Sequence, residues 1–296
     1  MVNVMLYSNF SEFNEICKAL GLEDATITNL QNAKKLQLLD TPLQNGSVAY
    51  VESKKMLSDI NIPKGAYIFV RKEDSYEFKF SAIIVKKPSF VFWSLYEFLE
   101  RAKKLDSKSI ISPNCIVGNN TSISKTGVII EDDVIIDDNV IIKAGVIIKK
   151  GTKIGPGCVI GSNGLEVKDT IFGKIIISHK GGVVINQNVE MGALCTINQG
   201  IGEKMTQIGS NTKLDCSVHI AHSCSIGSEN IITANVTFGG SVLTGTNVFF
   251  GLNATIKNGV KLEDGCFVGA GSVVTKNVKK NALVFGCPAK FIRKVK

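Results

Sequence analysis

The strongest constraint on the fold of this chain is a six-residue repeat in its apolar residues. The residues two positions before each large one are mostly small or β-branched. An α-helix repeats every 3.6 residues and a flat strand every two. A period of six with one large and one small inward residue therefore predicts short strands joined by regular corners. The longest series has twelve hexads, and only Thr244 in it is polar: Ile208, Leu214, Ile220, Ile226, Ile232, Phe238, Thr244, Phe250, Ile256, Leu262, Val268 and Val274.

Three shorter series extend the repeat through residues 107–275. They run from Ile111 to Ile123, from Ile130 to Ile160 and from Ile185 to Ile197, and with the long series they make 24 hexads. At three hexads per triangular coil, the sequence predicts a β-solenoid of about eight coils, stacked about 4.8 Å apart. An antiparallel β-sandwich is the alternative, but a sandwich has no reason to hold one register over twelve repeats.

The corners of this solenoid are marked by turn-forming residues and by two interruptions. Glycine or aspartate often follows the large residue directly, as at Gly155, Gly209 and Asp215. We expect unusual backbone dihedral angles at these positions. Residues 162–182 and 198–205 break the register. They are predicted to be loops that leave the corners, where binding residues tend to lie.

Residues 1–106 contain no hexads and predict a small α/β domain. Most of the aromatic residues lie here, and we expect them chiefly in its core, although some rings could stack on a base or sugar. The predicted elements are a helix over Asn9–Gly21, strands over Ser47–Val51, Ala66–Val70 and Ser81–Val85, and a helix from Pro88 to Lys104.

The net charge of +8 is concentrated at the C-terminus. Residues 276–296 contain seven basic residues and no acidic one, which leaves 27 basic against 26 acidic residues elsewhere. We therefore predict a third segment, a basic tail over 276–296, after the α/β domain (1–106) and the solenoid (107–275). Nucleic-acid binding is disfavoured, because the charge lies in one short segment without interleaved aromatic residues.

Composition also argues against membrane insertion and export. No stretch approaches the roughly 18 consecutive apolar residues that a membrane span requires, and Met1–Met5 lacks the basic start of an export signal. The eight cysteines form no CxxC pair. We expect a cytoplasmic protein whose cysteines are reduced and mostly fill the core, with Cys158, Cys224 and Cys266 at small inward positions.

The hexads resemble those of the hexapeptide-repeat acyltransferases over roughly residues 107–290. This resemblance implies a left-handed parallel β-helix and a homotrimer with active sites between subunits. Within that class, Lys213–Gly227, Val159–Gly164 and Gly181–Ile185 resemble the UDP-3-O-acylglucosamine N-acyltransferases of lipid A synthesis, a branch of lipopolysaccharide synthesis. Ile84–Pro88 and the segment around Tyr50 are similar to the uridine-binding domain of that family.

The C-terminal segments resemble a different family. Gly269–Val274 and Val284–Lys290 are similar to sugar acetyltransferases that use acetyl-CoA, whereas lipid A N-acyltransferases continue into a helical extension that docks acyl carrier protein. We therefore expect transfer of an acetyl group from acetyl-CoA to an amino group of a nucleotide-linked sugar, for cell-envelope glycan synthesis. One alternative is transfer of a 3-hydroxyacyl chain from acyl carrier protein to a UDP-glucosamine derivative. Another is a non-catalytic assembly module.

His222 and Gly240 are the predicted catalytic residues. His222 lies two residues after the inward Ile220, at a corner, and matches the general base of the resembling families. An imidazole titrates near pH 7, which suits removal of a proton from an amine that attacks a thioester. Gly240 lies one full coil further along the chain, and its N–H is predicted to polarise the thioester carbonyl as an oxyanion donor.

Further residues are predicted to bind the two substrates. His219, His179 and Tyr50 are candidates for the acceptor. For the donor we expect Gly269 and Ala270 to bind the pantetheine arm and the basic residues Lys276, Lys290 and Arg293 to bind the CoA phosphates. Pro288 is a further candidate for binding this co-substrate.

No metal site and no permanently bound cofactor are predicted, and the acyl thioester is a co-substrate. Some hexapeptide solenoids resemble metal-dependent carbonic anhydrases, which need three histidines converging on zinc. This chain has three histidines in total, and His219 and His222 lie too close in sequence for that pattern.

Overall fold

The computed structural model describes residues 10–31, 33–39, 42–53, 56, 61–77, 82–103 and 106–295. Met1–Met5, Asn9, Ser81, Lys104 and Lys296, which enter the predictions above, lie outside these residues. The chain forms two compact units. The first, unit 1, comprises Met1–Lys104 and Leu165–Ser178, and the second, unit 2, comprises Leu105–Gly164 and His179–Lys296.

Unit 1 is a four-stranded parallel sheet with helices, in the order β1-β2-β3-β4. The sequence predicted three of these strands but missed β1 and the second helix, because both are short and only weakly patterned. Pro88 opens the last helix, where its missing N–H costs nothing. The elements are α1 (Phe10–Ala19), α2 (Asp24–Gln31), β1 (Lys35–Leu36), β2 (Ser47–Tyr50), β3 (Tyr67–Val70), a 3₁₀ helix (Lys72–Glu77), β4 (Ala82–Ile84) and α3 (Pro88–Ala102).

The segment 165–178 belongs to unit 1, and the prediction of a loop there was wrong. Helix α3 holds this segment through buried polar groups. The Glu97 carboxylate accepts hydrogen bonds from the Ser178 N–H (2.8 Å) and from Arg101 Nε (2.7 Å). Ser94 Oγ accepts one from the Ile171 N–H (2.9 Å). These bonds satisfy backbone groups that a solvated loop would leave to water. The segment forms an antiparallel hairpin of two strands, numbered in chain order β14 (Val167–Thr170) and β15 (Gly173–Ile176).

Unit 2 consists of eight three-stranded coils, as predicted. Coils 1 to 4 contain β5 (Ile110–Ile111), β6 (Ile116–Val117), β7 (Ser122–Ile123), β8 (Ile129–Ile130), β9 (Ile135–Ile136), β10 (Ile141–Ile142), β11 (Val146–Ile148), β12 (Lys153–Ile154), β13 (Val159–Ser162), β16 (Val183–Ile185), β17 (Glu190–Met191) and β18 (Thr196–Asn198). Coils 5 to 8 contain β19 (Thr206–Ile208), β20 (Lys213–Leu214), β21 (His219–Ile220), β22 (Ser225–Ile226), β23 (Ile231–Ile232), β24 (Thr237–Phe238), β25 (Leu243–Thr244), β26 (Phe249–Phe250), β27 (Thr255–Ile256), β28 (Lys261–Leu262), β29 (Phe267–Val268) and β30 (Val273–Val274).

The strands of successive coils pair in parallel and form three sheets. The first, second and third strands of the coils each make one sheet, so the unit is a left-handed parallel β-helix. The large inward residues and their small partners stack into one continuous core. Cys158, Cys224 and Cys266 are buried in it, as predicted.

The sequence predicted a separate basic tail over residues 276–296. In the structure this segment is instead part of unit 2. It adds two strands to the second sheet, β31 (Ala282–Phe285) and β32 (Lys290–Lys294), which pair with each other in antiparallel fashion. Ala282 and Val284 are buried and repeat the small-then-large pattern of a hexad. The surrounding basic residues concealed this last inward pair.

The corners turn at a different residue from the one predicted. A positive φ occurs just before the small inward residue, as at Asp133 (58°), Asn139 (59°) and Ser223 (59°). Gly155, Gly209 and Asp215, directly after the large residue, have no such φ. Glycine is favoured there by the close approach of the next coil instead. A Cβ at Gly155 would lie 2.8 Å from the carbonyl carbon of Gly192.

Thr244, the polar exception in the long series, pairs with another inward polar residue. Asn230 Nδ2 donates a hydrogen bond to Thr244 Oγ1 (2.8 Å), and Asn230 Oδ1 accepts one from the Val248 N–H (2.7 Å). Asn230 is completely buried. Buried polar groups are tolerated when they are hydrogen-bonded, so the polar residue at this large inward position and Asn230 at the small one account for one another.

We predict that Asn230→Ala lowers the free energy of unfolding by about 1–3 kcal/mol, because the buried Val248 N–H loses its acceptor and Thr244 Oγ1 loses one of its two donors. Urea unfolding followed by circular dichroism measures this. Thr237→Val, an exposed change on a neighbouring strand, is the control and should stay within about 0.5 kcal/mol of the parent. Equal stability of the Asn230→Ala variant and the control would contradict the assignment.

Candidate functional site

One edge of the solenoid carries the candidate site. The third strand of each coil leads to the first strand of the next through a corner, and these corners stack because coils 5 to 8 are equal in length. We call the corners 221–223, 239–241, 257–259 and 275–277 the His222 edge. They place His222, Gly240, Asn258 and Lys276 at equivalent positions of successive coils.

The corner that carries His222 is anchored by hydrogen bonds on both sides. The Ser223 N–H donates to Thr206 Oγ1 (2.8 Å), and Ser223 Oγ accepts from the Ile201 N–H (3.1 Å). The His222 carbonyl accepts from the Ser241 N–H of the next coil (2.9 Å). The backbone at His222 is therefore fixed, while the residue remains partly exposed.

Gly240 lies directly beside the imidazole. A Cβ at position 240 would be only 2.5 Å from His222 Nε2 and from Cε1. Gly240 has no positive φ, so the close approach of the ring, and not the backbone conformation, requires glycine here. The structure thus brings together the two residues that the sequence predicted as base and oxyanion donor.

His179 reaches the same place from the other side. Its imidazole packs edge-to-face against that of His222, with ring centroids 5.3 Å apart and an interplanar angle of 74°. His179 is only 2% exposed. It had been predicted to contact substrate from a loop, and the structure differs, because a buried ring offers almost no surface to a substrate.

His219 lies on strand β21, one residue before the inward Ile220. It is half-buried between Thr196 and Thr237 of the adjacent coils and points outward, since Ile220 points in. Burial lowers the pKa of its imidazole, which favours the neutral form. A neutral imidazole can both donate and accept a hydrogen bond, so it can pair with a hydroxyl group in either direction.

Charge is distributed unevenly over the edges of coils 5 to 8. The His222 edge contains Lys257 and Lys276 and no acidic residue. The other two edges of the same coils carry the acidic residues, which are Asp215, Glu229, Glu263 and Asp264. The His222 edge therefore attracts anions, such as a phosphate group.

The other predicted donor-binding residues do not lie on this edge. Gly269 and Ala270 occupy the corner between the second and third strands of coil 8, and the Phe285 ring lies against Gly269. Lys290 and Arg293 are exposed on strand β32, and Pro288 lies in the turn before it, after a cis peptide bond. Of the predicted set, only Lys276 shares the edge with His222 within one chain.

Tyr50 belongs to an aromatic cluster of unit 1. Its ring lies 4.9 Å from that of Phe92, and its hydroxyl accepts a hydrogen bond from Trp93 Nε1 (3.3 Å). Trp93 also lines a cleft of about 420 Å³ together with Arg71 and Lys87. Sequence reasoning did not find this cleft, because its residues come from the segments after β2 and β3, from the start of α3 and from β14.

The same cleft contains an acidic residue with fixed partners. Glu52 forms an ion pair with Arg71 (2.7 Å) and accepts a hydrogen bond from the Ser89 N–H (2.8 Å). Burial by itself raises the pKa of Glu52, but the hydrogen bonds from Ser89 and Arg71 outweigh this effect and hold the pKa below its ordinary value. The carboxylate is therefore ionised at neutral pH, and it orients Arg71.

The described part of the chain contains neither a cluster of metal ligands nor a membrane-spanning helix. Within it, no group of three or more His, Cys, Asp or Glu side chains is arranged to hold a metal ion. In the same residues, no helix has the length and apolar character needed to span a membrane.

Two family models match the coils of unit 2. The bacterial transferase hexapeptide model (six repeats) matches residues 127–162 and 205–240, and the hexapeptide repeat of succinyl-transferase matches 241–276. Together with the fold and the paired His222 and Gly240, these matches define a hexapeptide-repeat acyltransferase.

Relatives specify the family more closely. A UDP-3-O-acylglucosamine N-acyltransferase from Helicobacter hepaticus is 33% identical over 269 residues, covering 84% of this chain and 81% of the relative. The chain belongs to the UDP-3-O-acylglucosamine N-acyltransferase family. The relatives from Wolinella succinogenes and Campylobacter lari, at 37% and 35% identity, align over only 42% and 40% of their own lengths.

Two acyltransferases of known structure match part of this chain. A UDP-N-acetylglucosamine O-acyltransferase from Moraxella catarrhalis has a TM-score of 0.46 at 27% identity, and the match covers 64% of this chain and 69% of that one. A UDP-N-acetylglucosamine acyltransferase from Campylobacter jejuni has a TM-score of 0.42 at 28% identity, with coverages of 64% and 75%.

The expected acetyl transfer from acetyl-CoA was wrong. The relatives carry the name of the alternative, the UDP-3-O-acylglucosamine N-acyltransferases. The prediction relied on the C-terminal segments, which in the structure form the last coil and the β31–β32 hairpin that covers it. Every solenoid needs a cap at its open end. Sequence similarity in a capping segment therefore reflects its structural role at the end of the solenoid and carries little information about the acyl donor.

We predict that the His222→Ala variant remains folded and that its turnover falls by about 10²- to 10⁴-fold, as expected for loss of a general base. Initial rates of acyl transfer measure the loss, and thermal unfolding checks the fold. Because His222 is partly exposed at a corner and its backbone hydrogen bonds remain, the melting temperature should change little. Parent-like turnover would contradict the role of His222.

We predict that Gly240→Ala lowers turnover by about 10²-fold, because the new methyl group displaces the His222 ring from its working position. The double variant His222→Ala/Gly240→Ala is the control. If alanine at 240 acts through the imidazole, the double variant should be no slower than His222→Ala alone. Additive losses would show that residue 240 acts independently of the ring.

Proposed function

We propose that this chain transfers an acyl group from an acyl carrier protein thioester to the amino group of a UDP-3-O-acylglucosamine, a step of lipid A synthesis. The observation that carries the proposal is the pairing of His222 with Gly240 one coil apart, where a Cβ would come within 2.5 Å of the imidazole. The family to which the chain belongs supports the acceptor.

The chemistry follows from these two residues. The sugar amine attacks the thioester carbonyl while His222 accepts the proton that the nitrogen loses, and the new C–N bond forms. Negative charge on the carbonyl oxygen of the tetrahedral intermediate is stabilised by the Gly240 N–H. The C–S bond then breaks, and the imidazolium returns the proton to the departing thiolate. No external acid, base or oxidant is needed.

The His222 edge suits the arm of the donor. Three coil spacings separate the corners of His222 and Lys276, which is roughly 14 Å at the usual strand separation. An arm that runs along the edge from the thioester would bring its phosphate towards Lys257 and Lys276, on a surface without acidic residues. We propose that Lys276 binds this phosphate as a point charge.

The cleft of unit 1 suits the nucleotide part of the acceptor. Arg71 and Lys87 supply positive charge for a diphosphate, and Phe90, which also lines the cleft and is partly exposed, supplies an aromatic surface for a base. The ion pair with Glu52 holds the Arg71 guanidinium in one orientation. We propose that this cleft, next to Tyr50, binds the uridine diphosphate.

We further propose a homotrimer with active sites between subunits. Outward positions of the first two sheets carry large apolar residues that are exposed in the single chain, among them Ile110, Ile116 and Ile231. Apolar surface of this kind on a soluble protein is normally covered by a partner, and copies of one chain form closed symmetric assemblies. Covering by neighbouring subunits would also bring corners of different edges together.

The decisive test of the proposed function compares donors. The purified protein is supplied with UDP-3-O-acylglucosamine and either a 3-hydroxyacyl thioester of acyl carrier protein or acetyl-CoA. Product carrying an amide-linked 3-hydroxyacyl chain is expected with the carrier protein. Turnover with neither donor, or acetylation alone, would overturn the proposal.

We predict that Lys276→Ala raises KM for the carrier-protein donor by about 3- to 10-fold, with kcat within about twofold, because one exposed charge contact is lost. The effect should shrink at high salt. Lys280→Ala is the matched control, since Lys280 lies outside the His222 edge and pairs with Asp264 (3.8 Å). Equal KM changes in both variants would show a general charge effect.

A further inference from the structure

A second imidazole next to the predicted base has no role in the mechanism above. His179 and His222 are two of only three histidines in the chain, and the fold brings their rings into edge-to-face contact although they are far apart in the sequence. Because His179 is 2% exposed, it cannot contact a substrate directly. Its effect must be exerted through the groups that surround it.

The backbone that carries His179 is held firmly. Just beyond it, the Gly181 N–H donates to the Gly200 carbonyl (2.9 Å), and the Gly182 carbonyl accepts from the N–H groups of Gly200 (3.0 Å) and Thr206 (3.1 Å). The residues 198–206 in turn anchor the His222 corner through Ser223. Both imidazoles therefore project from one hydrogen-bonded framework.

Gly164 closes the other side of the pair. A Cβ at this position would lie 3.1 Å from His222 Cδ2 and 3.2 Å from His179 Nε2, so the backbone of Gly164 packs tightly against both rings. The loop around it is held by Asn198, whose side-chain amide donates to Ser162 Oγ (2.9 Å) and to the Asn163 carbonyl (3.2 Å). The His222 ring is thus in contact with the His179 ring, with the backbone of Gly164 and with Gly240.

We infer that His179 is a positioning residue, which, together with Gly164, fixes the orientation of the His222 imidazole for proton transfer. A partly exposed side chain at a corner could occupy several rotamers without these neighbours, and a general base works only within hydrogen-bond reach of the proton it removes. Edge-to-face packing of the two rings selects one orientation before the substrate arrives. This inference rests on the proposed function of His222.

The test uses two substitutions of His179 that are similar in bulk but differ in aromatic character. We expect His179→Leu to lower kcat by about 3- to 10-fold, the range that corresponds to loss of one aromatic pair. KM for both substrates should stay within about twofold. His179→Phe retains a ring edge against His222 and should recover most of the lost kcat.

Gly164→Ala provides a second test that leaves His179 in place. Its methyl group presses on both rings, so kcat should fall while KM does not. In the His179→Ala background the rings have room to move, and the added effect of Gly164→Ala should shrink. Thr152→Val is the control for lost stability, because Thr152 is equally buried and hydrogen-bonded but lies at another edge. It should leave kcat unchanged.

Imidazole NMR spectra separate this inference from the proposed function, because they require no turnover. With three histidines, the signals of His222 are assigned by comparing single substitutions. They should shift or broaden in His179→Leu and stay unchanged in Thr152→Val. The inference is overturned if the His222 signals and kcat are the same in His179→Leu as in the parent, if KM alone changes, or if His179→Phe is as slow as His179→Leu. Absence of acyl transfer in the parent with an intact spectral effect would overturn only the proposed function.

Discussion

The parallel backbone ladder between successive coils is the interaction on which the rest of the structure depends. An N–H in one coil donates to a carbonyl of the next, as from Ser225 to Val242 (2.9 Å), Ile231 to Val248 (3.0 Å) and Leu243 to Val260 (3.0 Å). Each bond joins equivalent positions of neighbouring coils, so every side chain lies beside its equivalent in the next coil. Inward residues therefore stack on inward residues and corners stack on corners, and neither the core nor the site exists without that register.

The same register explains how a regular scaffold makes an irregular site. A corner is short and rigid where the period is kept, which is why Gly240 lies so close to His222. Where the period is broken, the chain leaves the edge and returns with new side chains. The excursion after Gly164 returns at His179, and the residues 198–206 hold the Ser223 corner. The reactive end of the edge is thus surrounded by irregular segments, whereas its other end, with Lys257 and Lys276, remains regular and open to solvent.

Most of the solenoid could be predicted from the sequence, because stacked coils of equal length place inward residues at a constant spacing along the chain. The hexads predicted eight coils, and counting one coil onward from His222 predicted Gly240 beside it. The errors arose where local pattern carries little information. The hairpin over 165–178 depends on buried groups of α3 such as Glu97, and the C-terminal strands were concealed by the basic residues around Ala282 and Val284. The prediction of acetyl-CoA as the donor was wrong because it relied on similarity in the C-terminal segments, which form the cap of the solenoid.

By itself, the sequence determined the fold class, the number of coils and the pairing of His222 with Gly240, since each of these follows from a constant spacing along the chain. Only the tertiary structure decided that His179 is buried against His222, that Lys276 shares the His222 edge while Ala270 does not, and that Arg71, Lys87 and Trp93 line one cleft. These residues come together through segments that break the period or lie outside it. Their neighbours are set by packing and hydrogen bonding between distant parts of the chain, which no spacing in the sequence records.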